Sequence, residues 1–152
     1  MSALSLLIPL IQDSESCRLK AYRCPAEKWT VGWGQTGGTI KEGTAWTQKQ
    51  ADEALEDSAR GALREATVIS PILDTSGDSR LAAIADFIYN AGPEAYRGST
   101  LRTLIDAGNW TAAQMEIQKW VHAHAHGKAV VMPGLVIRRA KEAELLAAAP
   151  GN

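Results

Sequence analysis

The sequence predicts an α+β fold, with one small β-element near its start and helices after it. Three observations carry this. Residues 18–36 hold the strand formers Tyr22, Trp29, Thr30, Val31 and Trp33, punctuated by Pro25, Gly32, Gly34, Gly37 and Gly38. From Thr47 onward the apolar residues recur at helical spacing. The chain has 152 residues, enough for one sizeable core and short for two.

Taken in order, Leu4, Leu7, Ile8 and Ile11 make residues 2–13 a short amphipathic helix, which Pro9 is expected to interrupt or kink. Residues 18–36 form an antiparallel hairpin or meander. Thr47 and Gln50 then make a capping box, and Ala51, Leu55, Ala59 and Ala62/Leu63 form one apolar stripe of a helix reaching about Thr67. The next helix starts at Asp78 or Ser79, faces Leu81, Ile84, Ala85 and Ile88 inward, and stops at Gly92. Ser99–Ala107 is a third, closed by Gly108. Thr111 with Gln114 caps a fourth, reaching about Val121. Residues 135–148, rich in Ala, Leu, Glu and Arg, make the last. A cleft between a β-containing lobe and a helical lobe is the natural place for a site.

Composition excludes several classes. Apolar residues make up 45% and charged residues 22%, an ordinary globular mixture rather than a disordered or membrane one. Lys and Arg against Asp and Glu run +8/−10 over residues 1–76 and +8/−7 over 77–152. No basic face follows from these totals, so nucleic acid is not an expected partner. The first basic residue, Arg18, comes after the apolar run Leu4–Ile11. A secretory signal carries its positive charge before that run, and a membrane span needs roughly 20 apolar residues. The expectation is a chain without an export signal of its own or stable membrane insertion. Cys17 and Cys24 do not make a disulfide framework. Five Trp against one Phe is unusual; packing is the commoner use of such rings, and stacking on sugars the other.

The informative stretch is Glu15-Ser-Cys-Arg-Leu-Lys-Ala-Tyr-Arg-Cys24-Pro-Ala-Glu-Lys-Trp-Thr30-Val-Gly-Trp-Gly34-Gln35. Glu15 falls where the first helix ends, with Cys24 nine residues later and Thr30 six after that. A carboxyl, a thiol and a hydroxyl can therefore converge on one edge of a folded hairpin. Equally, they can be a solvated helix-end charge, a small buried hydrophobe and an ordinary strand residue.

Glu-x8-Cys-x5-Thr followed by Val-Gly-Trp-Gly-Gln resembles the catalytic motif of the phage-type lysozymes, glycoside hydrolase family 24, in which the middle position is Asp or Cys. Phe87-Ile-Tyr-Asn90-Ala-Gly92 with Ser99-Thr100-Leu101 resembles that family's Asn-x-Gly…Ser-Thr-Leu segment. Trp120 followed by Pro133-Gly134-Leu135-x-x-Arg138-Arg139-x-x-Glu142 resembles its C-terminal signature. The matches occur in order across residues 15–142.

The resemblance implies a lysozyme-like single domain over residues 1–152. Its β-containing lobe would span about 14–50, and its helical lobe 1–13 and 60–152. It implies a muramidase that cuts the β-1,4 bond between N-acetylmuramic acid and N-acetylglucosamine in the peptidoglycan glycan strand. Such a cut needs a proton on the leaving oxygen and a stabiliser or water activator on the other ring face. Glu15 takes the acid role, with Arg138 pairing with it or holding it in place. Cys24 and Thr30 either position a water, giving inversion, or Cys24 attacks the sugar, giving retention. Tyr89, Asn90, Ser99 and Thr100 would line the helical side of the cleft, and Gln35, where the family often has His, the hairpin side. No metal or cofactor is expected.

His122, His124 and His126 alternate with alanines and are read as a solvated loop beside the cleft. The acidic residues Asp52, Glu53, Glu56 and Asp57 are read as the wet face of their helix. The biological expectation is a monomeric phage endolysin. It would wait in the host cytoplasm until a separate holin-like membrane protein opens the way to the periplasm and wall. An inactive glycan-binding relative and a small helical interaction protein are the alternatives. A Cys17–Cys24 disulfide that switches activity off under oxidation is a further possibility, against Cys17 as a core residue.

Overall fold

The computed structural model describes residues 1–24 and 26–148. Pro25, counted above among the turn residues, and positions 149–152 lie outside the described residues. The chain folds in the order α1 (Ala3–Ser14), β1 (Arg18–Arg23), β2 (Trp29–Gly32), α2 (Gln48–Ile69), α3 (Asp78–Ala91), α4 (Pro93–Arg97), α5 (Thr100–Asp106), α6 (Trp110–Ile117), β3 (His122–Ala125), β4 (Lys128–Val131) and α7 (Pro133–Ala147). This is the expected α+β architecture.

The helix α1 is capped by Ser2, whose hydroxyl accepts from the Ser5 amide, and it runs unbroken through Pro9. The cost of Pro9 is one missing hydrogen bond to the Ser5 carbonyl. Burial of Leu7 and Ile11 against the core holds the helix together across that gap. Strands β1 and β2 pair antiparallel, Tyr22 opposite Thr30 and Arg23 opposite Trp29, with an irregularity between Arg18 and Tyr22. The following segment straps across β1: the Trp46 amide donates to the Leu19 carbonyl and the Ala21 amide to that of Thr44.

Thr47 and Gln50 form the expected reciprocal capping box of α2. Ala51, Leu55, Ala59 and Ala62 are buried as expected, and the helix continues past Thr67 to Ile69 because Ala66 and Ile69 extend the stripe. Asp52, Glu53, Glu56 and Asp57 lie exposed on its other side.

The helix α3 departs from a simple amphipathic reading. Residues 82–88 are all buried, while Leu81 is only partly so. The helix is central, packed by α1, α2 and α7. The alanines Ala82, Ala83 and Ala85 are small enough for neighbours to approach on several sides.

Four local features differ from expectation. A 3-10 turn, Pro71–Asp74, and the short helix α4 each start on a proline, whose fixed φ and missing N–H suit a first turn. The cap of α6 is Asn109 rather than Thr111, its side chain accepting from the Ala112 amide, and the helix ends at Ile117 rather than near Val121. The histidine tract is a second hairpin rather than a loop, with His122 opposite Val131 and His124 opposite Ala129. Its two-residue turn is His126-Gly127, with φ of 52° and 76°, a left-handed pair that suits the twist of an antiparallel hairpin. The last helix starts at Pro133, two residues early.

Candidate active site

The chain leaves α1 at Glu15, whose amide donates to the Ile11 carbonyl at 2.8 Å while its own backbone is already extended. Its side chain emerges at the corner between the helical part and β1. The carboxylate is held by Arg138, whose Nη1 donates to Glu15 Oε1 at 2.9 Å. The rest of the guanidinium is clamped on Asp86, with Nε to Oδ2 at 2.9 Å and Nη2 to Oδ1 at 2.8 Å. The side chains of Asp86 and Arg138 are 0% and 4% exposed, whereas that of Glu15 is 27% exposed. One planar fork therefore bridges a sealed carboxylate to an accessible one, a geometry a Lys ammonium cannot reproduce. Burial works against the charge of Arg138, but the hydrogen bonds and charges of Asp86 and Glu15 outweigh it and hold the guanidinium firmly protonated.

Glu15 opens onto a cleft of about 350 Å³ lined also by Asn90, Met132, Leu135, Ile137 and Arg138. Gly34 presses on the carboxyl from the hairpin side: a Cβ there would lie 3.2 Å from Glu15 Oε2, and its φ of +91° disfavours any side chain. The Gly34 loop is fixed by Gln35 and Tyr89. The Gln35 Oε1 accepts from the Trp33 amide at 2.6 Å, and its Nε2 donates to the Tyr89 hydroxyl at 2.8 Å. That hydroxyl donates to the Trp33 carbonyl at 2.7 Å. Burial first, and the Glu15 charge second, push the Tyr89 phenol well above its ordinary range, so it remains a donor at neutral pH. The Trp33 indole N–H is held by Asp52 at 2.9 Å, so one of the acidic residues on α2 braces the loop.

Cys24 and Thr30 meet on the hairpin. The Cys24 amide donates to the Lys28 carbonyl at 3.0 Å, two residues from Thr30. Slight burial pushes the Cys24 thiol up, but hydrogen bonding from the Lys28 amide, the Thr30 hydroxyl and the Ala26 amide outweighs it and brings the thiol below its ordinary value. The Thr30 hydroxyl also donates to the Lys28 carbonyl at 3.0 Å. It has one proton, so it does not donate fully to that carbonyl and to the sulfur at once. Cys17 is separate: it is half-buried, and its Sγ accepts from Gln48 Nε2 at 3.6 Å. Both cysteines are free.

The structure thus brings Glu15, Asn90 and Arg138 into one cleft, pairs Cys24 with Thr30, and joins Gln35 to Tyr89. Asn90 Oδ1 accepts from Arg139 Nη2. Ser99 caps α5: its hydroxyl accepts from the Arg102 amide and donates to the Tyr96 carbonyl, with Thr100 exposed beside it. Asp86 was not among the residues singled out by sequence. The signal was present, since it is the one charged residue within the apolar run Leu81–Ile88, and a charge in such a place needs a buried partner.

This architecture has close structural counterparts. The muramidase domain of SpmX from Asticaccaulis excentricus superimposes with a TM-score of 0.82, at 26% identity, over 94% of this chain and 95% of that one. The endolysin from Escherichia coli O157:H7 phage FAHEc1 gives a TM-score of 0.81, at 25% identity, over 92% and 89%. The fold class is thus that of a lysozyme-like glycoside hydrolase. In sequence, the endolysin of Acyrthosiphon pisum secondary endosymbiont phage 1 is 37% identical over 142 residues, covering 92% of this chain and 94% of that protein. The family model for phage lysozyme matches residues 12–142, and the chain belongs to that family.

Proposed function

We propose that this chain acts as an endolysin in which Glu15, Cys24 and Thr30 are the catalytic groups. The observation that carries the reading is the presentation of Glu15. It is the carboxyl that a buried, doubly anchored Arg138 holds facing an open cleft. Glu15 gives its proton to the glycosidic oxygen as the β-1,4 bond after N-acetylmuramic acid breaks. Cys24 and Thr30 serve the opposite side of the sugar. The lowered thiol titration favours a thiolate that either takes a proton from a water oriented by Thr30 or attacks the anomeric carbon itself.

Asn90 is the substrate-binding residue that the cleft supports most directly. Gln35 and Tyr89 act by holding the Gly34 loop against Glu15. Ser99 acts by fixing the start of α5, and Thr100 offers an exposed hydroxyl beside it. The biological setting is lysis of a phage host, which the endolysin relative supports. The chain is held as a monomer in the cytoplasm until a holin-like protein permeabilises the membrane, and then acts at the wall. Among the described residues, no helix is long and apolar enough to span a membrane.

Mass spectrometry of digested peptidoglycan tests the reading. Hydrolysis leaves reducing muramic acid ends with one added water per cut. Anhydro ends would make the chain a transglycosylase, and an undigested sacculus with bound protein would make it a glycan-binding relative.

A further inference from the structure

The sequence carries five tryptophans, and the fold absorbs four of them. Trp33, Trp110 and Trp120 pack against the hydrophobic core. Trp46 lies over Gly32, so closely that a Cβ there would fall 2.9 Å from its ring. Trp29 has neither use. It is half-buried, lies outside the core, and lines a separate cavity of about 430 Å³ with Glu27, Lys28, Thr36, Gly37 and Ile40. That volume falls within the roughly 300–1,000 Å³ of small-molecule sites.

The cavity shares no lining residue with the Glu15 cleft. Side chains alternate along a strand, so Trp29 leaves β2 on the face opposite to Thr30. Backbone bonds hold both walls. On one side Glu27 takes a left-handed φ of 61°, and its amide donates to the Cys24 carbonyl at 2.7 Å. On the other, Val31 and Gln35 exchange amide-to-carbonyl bonds, and the Ile40 amide donates to the Gly37 carbonyl at 3.1 Å. A Cβ at Gly37 would meet nothing within 4 Å, so the space over that backbone is open. The Arg23 guanidinium carbon lies 5.5 Å from the centroid of the Trp29 ring and holds the ring by cation–π attraction. A ring fixed before a ligand arrives loses less freedom on binding.

An indole beside a carboxylate, an ammonium and a hydroxyl is an apolar plate with acceptors and donors at its rim. An N-acetylated pyranose has the matching parts: a C–H face for the plate, and hydroxyls and an amide for the rim. The Glu27 carboxylate works against a phosphate polyanion. We propose that this cavity is a second glycan-binding site, on the face of the hairpin away from Thr30, in which Trp29 stacks on an N-acetylhexosamine of a wall strand other than the one being cut. Glu27 accepts from the sugar, and Lys28 and Thr36 donate to it. With a net charge of −1 the chain has little long-range attraction to an anionic wall. A second grip keeps it at high local concentration after the cleft releases a cut end.

The ligand class rests on the muramidase reading above, but the two fail separately. The probe is chitotriose, titrated into full-length Glu15→Gln protein and followed by proton–nitrogen NMR. The Trp29 indole N–H signal is identified by its loss in Trp29→Phe. That signal and the amides of Lys28 and Gly37 are expected to shift saturably, alongside any shift at Asn90 in the cleft. Trp29→Ala should weaken binding of the Glu15→Gln protein to whole sacculi roughly tenfold, and Trp29→Phe, which keeps a ring, should weaken it less. With Glu15 intact, Trp29→Ala should raise KM on sacculi and leave kcat on soluble peptidoglycan fragments unchanged. Shifts confined to the cleft, or equal sacculus binding with and without the Trp29 ring, would overturn the second site even if the wild type cuts the wall. A fall in kcat on the soluble fragments would also overturn it, making Trp29 a support for Thr30. Saturable Trp29 shifts in a chain that leaves sacculi uncut would keep the site and sink the muramidase reading.

Discussion

Gly34 faces Glu15 across the corner between the hairpin and α1: a methyl group at Gly34 would crowd Glu15 Oε2, which would have to give way by a few tenths of an ångström. Gly34→Ala adds that methyl at 3.2 Å and forces a side chain onto a φ of +91°. The expected result is a loss of about 1–3 kcal/mol in stability and a fall in lysis at temperatures where the variant is still folded. Denaturant melts and turbidity clearing of permeabilised Gram-negative cells check both. A Gly34→Ala protein with full activity would show that Glu15 does not depend on this contact.

Removing the guanidinium is expected to be worse than removing either acid on it. Arg138→Gln leaves Asp86 charged and without its partner at a fully buried position. Breaking a buried pair from one side costs about 3–5 kcal/mol. Arg138→Lys keeps the charge but cannot make two bonds to Asp86 and one to Glu15 together. It should fold better than Arg138→Gln and still lose most of its activity. Equal stability of the two variants would mean that charge without fork geometry contributes nothing at this site.

The Cys24 thiol should react as a partly activated one. The midpoint of its alkylation rate against pH, followed in a Cys17→Ser background, is expected below the ordinary thiol value of about 8.5. Thr30→Val should raise that midpoint, since one of the stabilising hydrogen bonds is lost. In lysis assays Cys24→Asp should retain more activity than Cys24→Ala; the reverse order would make Cys24 a packing residue. With Cys17 held near Gln48 and Cys24 near Thr30, mild oxidation is expected to leave two titratable thiols. A single oxidised pair appearing together with loss of lysis would establish the disulfide switch instead.

The features read correctly from sequence are those fixed over short distances. The Thr47–Gln50 capping box, the buried stripe Ala51–Ala62 and the stop at Gly92 each depend on residues within a turn or two of one another. The second hairpin was missed because His-Ala-His-Ala alternation carries no apolar face. The usable signal was the His126-Gly127 dipeptide, a two-residue turn that accepts positive φ. Capping residues also compete locally, and at α6 Asn109 takes the place expected of Thr111, two residues earlier. In the site, Glu15, Arg138, Cys24 and Thr30 came forward through the family resemblance, and of these the structure joins Arg138 to Glu15. Their partners did not, because Asp86 meets Arg138 across 52 positions and Tyr89 meets Trp33 across 56. Such pairings are set by how α3 packs between α1, α2 and α7, which local pattern does not encode.

The central claim is that Glu15 delivers the proton to the leaving sugar oxygen. Glu15→Gln keeps the shape and a hydrogen-bonding oxygen toward Arg138 Nη1 but removes the acid. Purified wild-type and Glu15→Gln proteins with matching circular dichroism should be compared by initial rate of muramic acid reducing-end release from peptidoglycan. The expected result is a fall on the order of 100-fold or more. A folded Glu15→Gln protein that retains most of the wild-type rate would contradict the assignment and place the acid elsewhere in the cleft.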